Sequence, residues 1–213
     1  MTTTLYLIRH GESIGNIKKI FLGHTDWDLT ELGYRQAACT ASVFENIHVD
    51  AIVSSDLLRA FHTACPIAEQ KGIPITKDKD FREIFAGKWE GSAFSDLEQE
   101  YEQDYTVWKT DIGRSRPTDG ESVLQLHARI FSALQRTVAA HEGHTVVITT
   151  HATPIRVLHT GFSGLPIEEA AKIPWVSNAS VTKIVCEDGI FRVEYTDKHD
   201  HLGDLSTRLP ANV

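Results

Sequence analysis

An α/β fold built on a largely parallel sheet is predicted by two features of this 213-residue sequence. Short, near-continuous apolar runs read as strands buried on both faces: Leu5 to Ile8, Ala51 to Val53 and Thr145 to Ile148. Between them lie longer segments with helical spacing of apolar residues, and the alternation of the two is the α/β signature.

In chain order, Leu5–Ile8 is the first strand. Thr30 is placed to cap a helix running to about Phe44, and a second helix runs from near Asp56 to Lys71, stopped by Gly72. A strand is expected over Ile73 to Thr76. A helix from about Glu121 toward His141 carries Val123, Leu126, Ile130, Leu134 and Val138 on one stripe. Pro154 to His159 reads as the first turns of another helix. Ser180–Val185 and Ile190–Tyr195 pair as a hairpin around Asp188-Gly189. The stretch 87–120 predicts a short helix over Ser95 to Tyr105, then a loop, an excursion suited to a lid or substrate wall.

Hydrophobic content of 41% and charged content of 23% fit a globular protein, and 213 residues suffice for a single domain over 1–213. A net charge of −8 disfavours nucleic acid and anionic membranes as partners. No apolar run reaches membrane-spanning length, and the amino terminus lacks the pattern of a secretory leader. Three scattered cysteines, Cys39, Cys65 and Cys186, predict free thiols and a cytoplasmic protein. Nothing in the sequence specifies an oligomeric state.

Ligands of open α/β sheets bind beyond the carboxyl ends of the strands. Arg9 and His10 end the first strand, Arg59 opens the helix after the second, and His151 ends the third. Two arginines suit phosphate oxygens, and a histidine can attack phosphorus. Side chains alone can stabilise the transferring group, so no metal or other cofactor is expected. Glu83 is the candidate proton donor to the leaving oxygen. His199 and His201 lack any companion metal-ligand motif, and a solvated tail is expected there. Arg114, Arg116, Lys18 and Lys19 read as solvated, and Trp89, Trp108 and Phe94 as core or lid packing.

Leu7-Ile-Arg-His-Gly-Glu12 resembles the signature of the histidine phosphatase superfamily, the phosphoglycerate-mutase-like family. Further matches follow in order: Asn16, Gly23-His-Thr-Asp26, Leu29-Thr-Glu-Leu-Gly33, Gln36-Ala37, Ser54-Ser-Asp-Leu-Leu-Arg-Ala60 and Thr63-Ala64. Arg82-Glu-Ile84, Gly87-Lys-Trp-Glu-Gly91, Gly120-Glu-Ser122, Thr150-His151 and Asn178-Ala-Ser-Val181 complete a match over nearly the whole chain. The resemblance implies a three-layer α/β/α sandwich with a mixed, mainly parallel sheet. It implies that His10 is phosphorylated, that Arg9, Arg59 and His151 hold the phosphate, and that Glu83 serves as acid and then base. Asn16 and the Gly23 backbone would line the phosphate pocket. Two departures bear on the substrate body: Leu22 stands where members carry a polar residue, often Gln, and Ala152-Thr153-Pro154 replaces small glycine-like residues.

The expected function is metal-independent hydrolysis of a small phosphomonoester, close to bacterial α-ribazole and broad-specificity phosphatases. A phosphoglycerate-type mutase and a catalytically silent binding module are the alternatives. The resemblance also leaves open that the 197–213 tail folds toward the pocket mouth.

Overall fold

The structure, a computed structural model, describes residues 1–207. Its centre is strand β1, Thr2–Arg9, followed by a single turn of helix, α1, Ile14–Lys18, and a short strand β2, Ile20–Phe21. Helix α2 spans Glu31–Ser42, β3 Ala51–Ser54, α3 Leu58–Lys71 and β4 Ile75–Lys77. An excursion then carries β5, Ser92–Ala93, α4, Phe94–Glu100, and α5, Glu102–Thr110. The chain returns through α6, Val123–Ala140, β6, Thr145–Thr150, and α7, Ala152–Phe162, and ends in β7, Val181–Glu187, and β8, Ile190–Lys198.

Six strands form one sheet in the order β4-β3-β6-β1-β7-β8. The pairs β4–β3, β3–β6 and β6–β1 are parallel, and β1–β7 and β7–β8 antiparallel, so the sheet is mixed and mainly parallel. Its strands are apolar on both sides because both faces are covered. Leu5 and Leu7 of β1, with Val146 and Ile148 of β6, pack against Leu126, Ile130 and Leu134 of α6 and Ile155 of α7. The alternate residues Tyr6, Ile8 and Val147 pack against Ala41 of α2 and Ala64 and Ile67 of α3. This period-two division into two clusters is what makes three layers.

Local chemistry explains the boundaries. Thr30 caps α2 by accepting from the Gly33 amide, and Ser122 caps α6 in a reciprocal capping box with Gln125. Helix α6 therefore starts two residues after Glu121, which is held instead by Arg129. Helix α3 starts at Leu58 rather than Asp56, whose carboxylate takes both branches of Arg82. Strand β4 begins at Ile75, beyond Pro74, which has no N–H for the ladder. Asp188 and Gly189 both adopt positive φ, 51° and 79°, as a tight hairpin turn requires.

Two expectations need correction. The helix expected over Ser95 to Tyr105 is two helices, broken at Tyr101 (φ −130°, ψ 40°), and a 3₁₀ turn, Ile112–Arg114, follows in place of loop. Tyr101 packs against the larger core cluster beside Trp89, and that burial outweighs helical continuity. The tail is not simply solvated: a 3₁₀ segment, Asp200–Leu205, lies against α2 with Leu202 buried. The Cys39 thiol donates to the His201 carbonyl, and Gln36 Nε2 to that of Leu205. Residues 208–213 of the 197–213 tail lie outside the described residues.

Candidate active site

The carboxyl ends of β1, β3 and β6 deliver their polar side chains to one cleft. It is open to solvent, and its polar lining includes Arg9, His10, Asn16, Gly23, Arg59 and Glu83. His151 lies buried beside it, its ring 5.2 Å from that of His10, centroid to centroid.

His10 follows β1 and is held from every side by backbone. Its amide donates to the Thr150 carbonyl, and its own carbonyl accepts from the Ala179 amide and Asn178 Nδ2. Nδ1 lies 2.7 Å from the Gly11 carbonyl. A carbonyl only accepts, so Nδ1 carries the proton and Nε2 keeps its lone pair in the neutral ring. Burial first, then the positive charges of Arg59 and Arg9, hold the His10 pKa well below the ordinary histidine value. The imidazole is thus neutral, with its Nε2 lone pair free, in a positive setting.

Both arginines are buried and tied to carbonyls rather than carboxylates. Arg9 donates to the Val176 carbonyl, and Arg59 to those of Gly23 and Thr25. Burial lowers each guanidinium pKa to about 10, against the pull of the Glu83 carboxylate, so both stay charged at neutral pH. Two buried nitrogens, Arg9 Nε and His151 Nδ1, have no hydrogen-bond partner among the described residues. The other ring nitrogen of His151 meets Ser55 Oγ at 2.9 Å. Burial depresses the His151 pKa as well, with Arg59 adding to the effect. Such a cluster of desolvated donors suits a phosphoryl group.

Glu83 reaches the cleft from the segment after β4. Its carboxylate accepts from the Ile84 amide at 2.8 Å and the Thr153 amide at 3.4 Å. Burial still pushes its pKa up, against those bonds and the attraction of Arg59. A neutral imidazole and a carboxyl whose proton affinity is raised by burial therefore share one cleft.

Three parts of the site were given no role by the sequence. Asn178 Nδ2 bridges the His10 carbonyl and Asn16 Oδ1, locking the two. Glu90 accepts from the amides of His24, Thr25 and Ala86 and from the Thr25 hydroxyl, so one carboxylate fixes the 23–25 turn that receives Arg59. Gly23 sits there at φ +50°, and a Cβ would lie 2.2 Å from Glu90 Oε1, which requires glycine. Trp175 forms part of the outer wall with Phe94 and Trp108 of the excursion. A Trp-Glu-Gly string within a matched motif was the available hint for Glu90; for Trp175 there was none. Lys18, Lys19, Arg114 and Arg116 are exposed and outside the cleft lining. Among the described residues no three His, Cys, Asp or Glu side chains gather as a metal-ligand set, and His201 Nε2 is engaged by Thr40 and the Ala179 carbonyl.

Known proteins share this architecture. "Phosphoserine phosphatase 1" of Hydrogenobacter thermophilus is 31% identical over 165 residues, 78% of each chain. "Adenosylcobalamin/alpha-ribazole phosphatase" of Escherichia coli is 29% identical over 77% of this chain and 81% of its own. "Probable phosphoglycerate mutase GpmB" of Yersinia pestis is 30% identical over 84% of this chain and 83% of its own. The solved structure of YhfR from Bacillus stearothermophilus superposes with a TM-score of 0.90 at 32% identity, covering 94% of this chain and 99% of that one. The family model for the histidine phosphatase superfamily (branch 1) matches residues 5–198, and the chain belongs to that family.

Proposed function

We propose that this protein is a phosphomonoester hydrolase working through a phosphohistidine at His10. The observation that carries the reading is the hydrogen bond from His10 Nδ1 to the Gly11 carbonyl, which leaves Nε2 reactive beside two charged guanidinium groups. Nε2 attacks phosphorus as the ester P–O bond breaks. The Glu83 carboxyl gives its proton to the departing alkoxide, and Arg9, Arg59 and His151 share the charge on the equatorial oxygens. The resulting Glu83 carboxylate then takes a proton from water, whose oxygen attacks phosphorus. The P–N bond breaks, releasing inorganic phosphate and the neutral imidazole. Asn16 and the Gly23 backbone line the phosphate position. No metal enters either step, and full turnover in chelator is expected.

The test is acid-labile, base-stable phosphate on the protein during turnover of an alkyl phosphate. His10→Ala, folded by circular dichroism, should show none and lose at least about 10³-fold in kcat. Equal turnover in both proteins would overturn the reading. Mutase-named relatives give a second reading, in which a sugar-acid hydroxyl replaces water as acceptor. Bisphosphate-dependent interconversion of phosphoglycerates would establish it.

A further inference from the structure

We propose that the outer half of this cleft takes a neutral aromatic group on the substrate's alcohol. The inference rests on the phosphatase reading for where the phosphate sits, and assigns what lies beyond it. The charged residues lining the cleft, Arg9, Arg59 and Glu83, gather about His10. The rest of the lining is mainly apolar: Phe21, Leu22, Phe94, Trp108 and Trp175, with Ile20 beside them.

These walls are held in place. Trp108 packs edge-on to Phe21 at 5.0 Å and lies stacked with Trp175 at 6.3 Å, 29° between planes. The Arg156 guanidinium sits 4.2 Å from the centre of the Trp175 ring, and its Nε and Nη2 donate to the Ala170 and Ala171 carbonyls. Arg156 is buried there as a support for the indole, and does not line the cleft. Leu22 is seated because Gly15 lacks a side chain: a Cβ there would fall 2.4 Å from Leu22 Cγ.

An alcohol bearing a carboxylate or ammonium, as in phosphoglycerate or phosphoserine, would lose hydration against indole and phenyl rings, with no counter-charge among the described residues of that wall. A neutral ring loses little hydration and gains stacking in a preformed slot. The proposal therefore predicts discrimination by the body of the ester and not by its phosphate.

The experiment compares 2-phenylethyl phosphate with glycerol 1-phosphate and 3-phosphoglycerate, alkyl esters chosen so that an activated leaving group does not decide the result. The expected kcat/KM for the phenylethyl ester is about tenfold or more above either of the others. Trp175→Ala should cut that ratio several-fold through KM, with Trp175→Phe restoring most of it. Equal or better turnover of 3-phosphoglycerate, or an unchanged ratio in Trp175→Ala, would overturn the proposal. A second measurement is independent of turnover: quenching of tryptophan fluorescence by 2-phenylethylphosphonate against methylphosphonate. Tighter binding of the phenylethyl compound without hydrolysis of any ester would refute the phosphatase reading and leave the aromatic subsite standing. Equal affinity for the two phosphonates would refute the subsite itself.

Discussion

The base and the outer wall of the cleft are made by opposite means. The base is charged, buried and bound to backbone: Arg9, His10 and Arg59 each hydrogen-bond a main-chain carbonyl on or beside the ends of sheet elements. The wall is aromatic, drawn from the 87–120 excursion and the loop before β7, and held by ring packing and one buried guanidinium. Backbone tethering fixes a position to fractions of an ångström, as phosphoryl transfer requires. Ring packing fixes a shape while leaving its chemical identity free to vary.

The largest test of that division falls on the wall's own core. Trp89 is fully buried between Phe21, Tyr105 and Trp108. Trp89→Ala should cost about 3–5 kcal/mol in denaturant unfolding, because a large ring is removed from a packed core. Retained stability would mean that the excursion is not integral to the core. At the base, Arg59→Lys keeps the charge but loses the fork that spans the Gly23 and Thr25 carbonyls. A fall in kcat of about 10²–10³ with little loss of stability is expected. Glu90→Gln retains shape but gives up the charge that gathers three amides and a hydroxyl. It should lower kcat/KM by about tenfold without abolishing turnover.

The smallest effect is also the most specific. In the proposed reaction the first step needs His10 neutral and Glu83 protonated. His10 loses its reactive form as pH falls through its depressed pKa, and Glu83 loses its proton as pH rises through its elevated one. The alkaline limb of kcat/KM should therefore lie above the ordinary glutamate range and vanish in the slow Glu83→Gln variant. Because the folded-state pKa of Glu83 is raised, its contribution favours the native state at low pH and is lost as pH rises. Glu83→Gln should then raise Tm at neutral pH while lowering activity, and a lowered Tm there would contradict the assignment of burial as the cause.

The base was legible in the sequence because strand ends and apolar alternation are local signals. Arg9, His10, Arg59 and His151 could be placed at one sheet edge from the runs before them alone. Glu83 needed the family resemblance, since it reaches the cleft from a segment with no regular structure. The wall was legible only in outline: the 87–120 excursion was expected as a lid or substrate wall, but not which side chains line the cleft. Trp108 reaches it only after the helix break at Tyr101, and the ribbon of β2 with β5, which sets Phe94 beside Phe21, pairs segments some seventy residues apart. Trp175 depends on Arg156, on a different element, and no spacing rule connects them. The docked tail was missed for the same reason: it rests on Gln36 and Cys39 across the fold.

Strand β1 pairs with β6 on one side and β7 on the other, and Asn178 closes on the carbonyl of His10. Both neighbours of the strand that leads to His10 thus come from the last third of the sequence. During synthesis β1 can be enclosed on both sides only after residue 187 has been made. A chain that stops before Asn178 carries His10 without the β7 ladder and the side-chain contact that hold it in place.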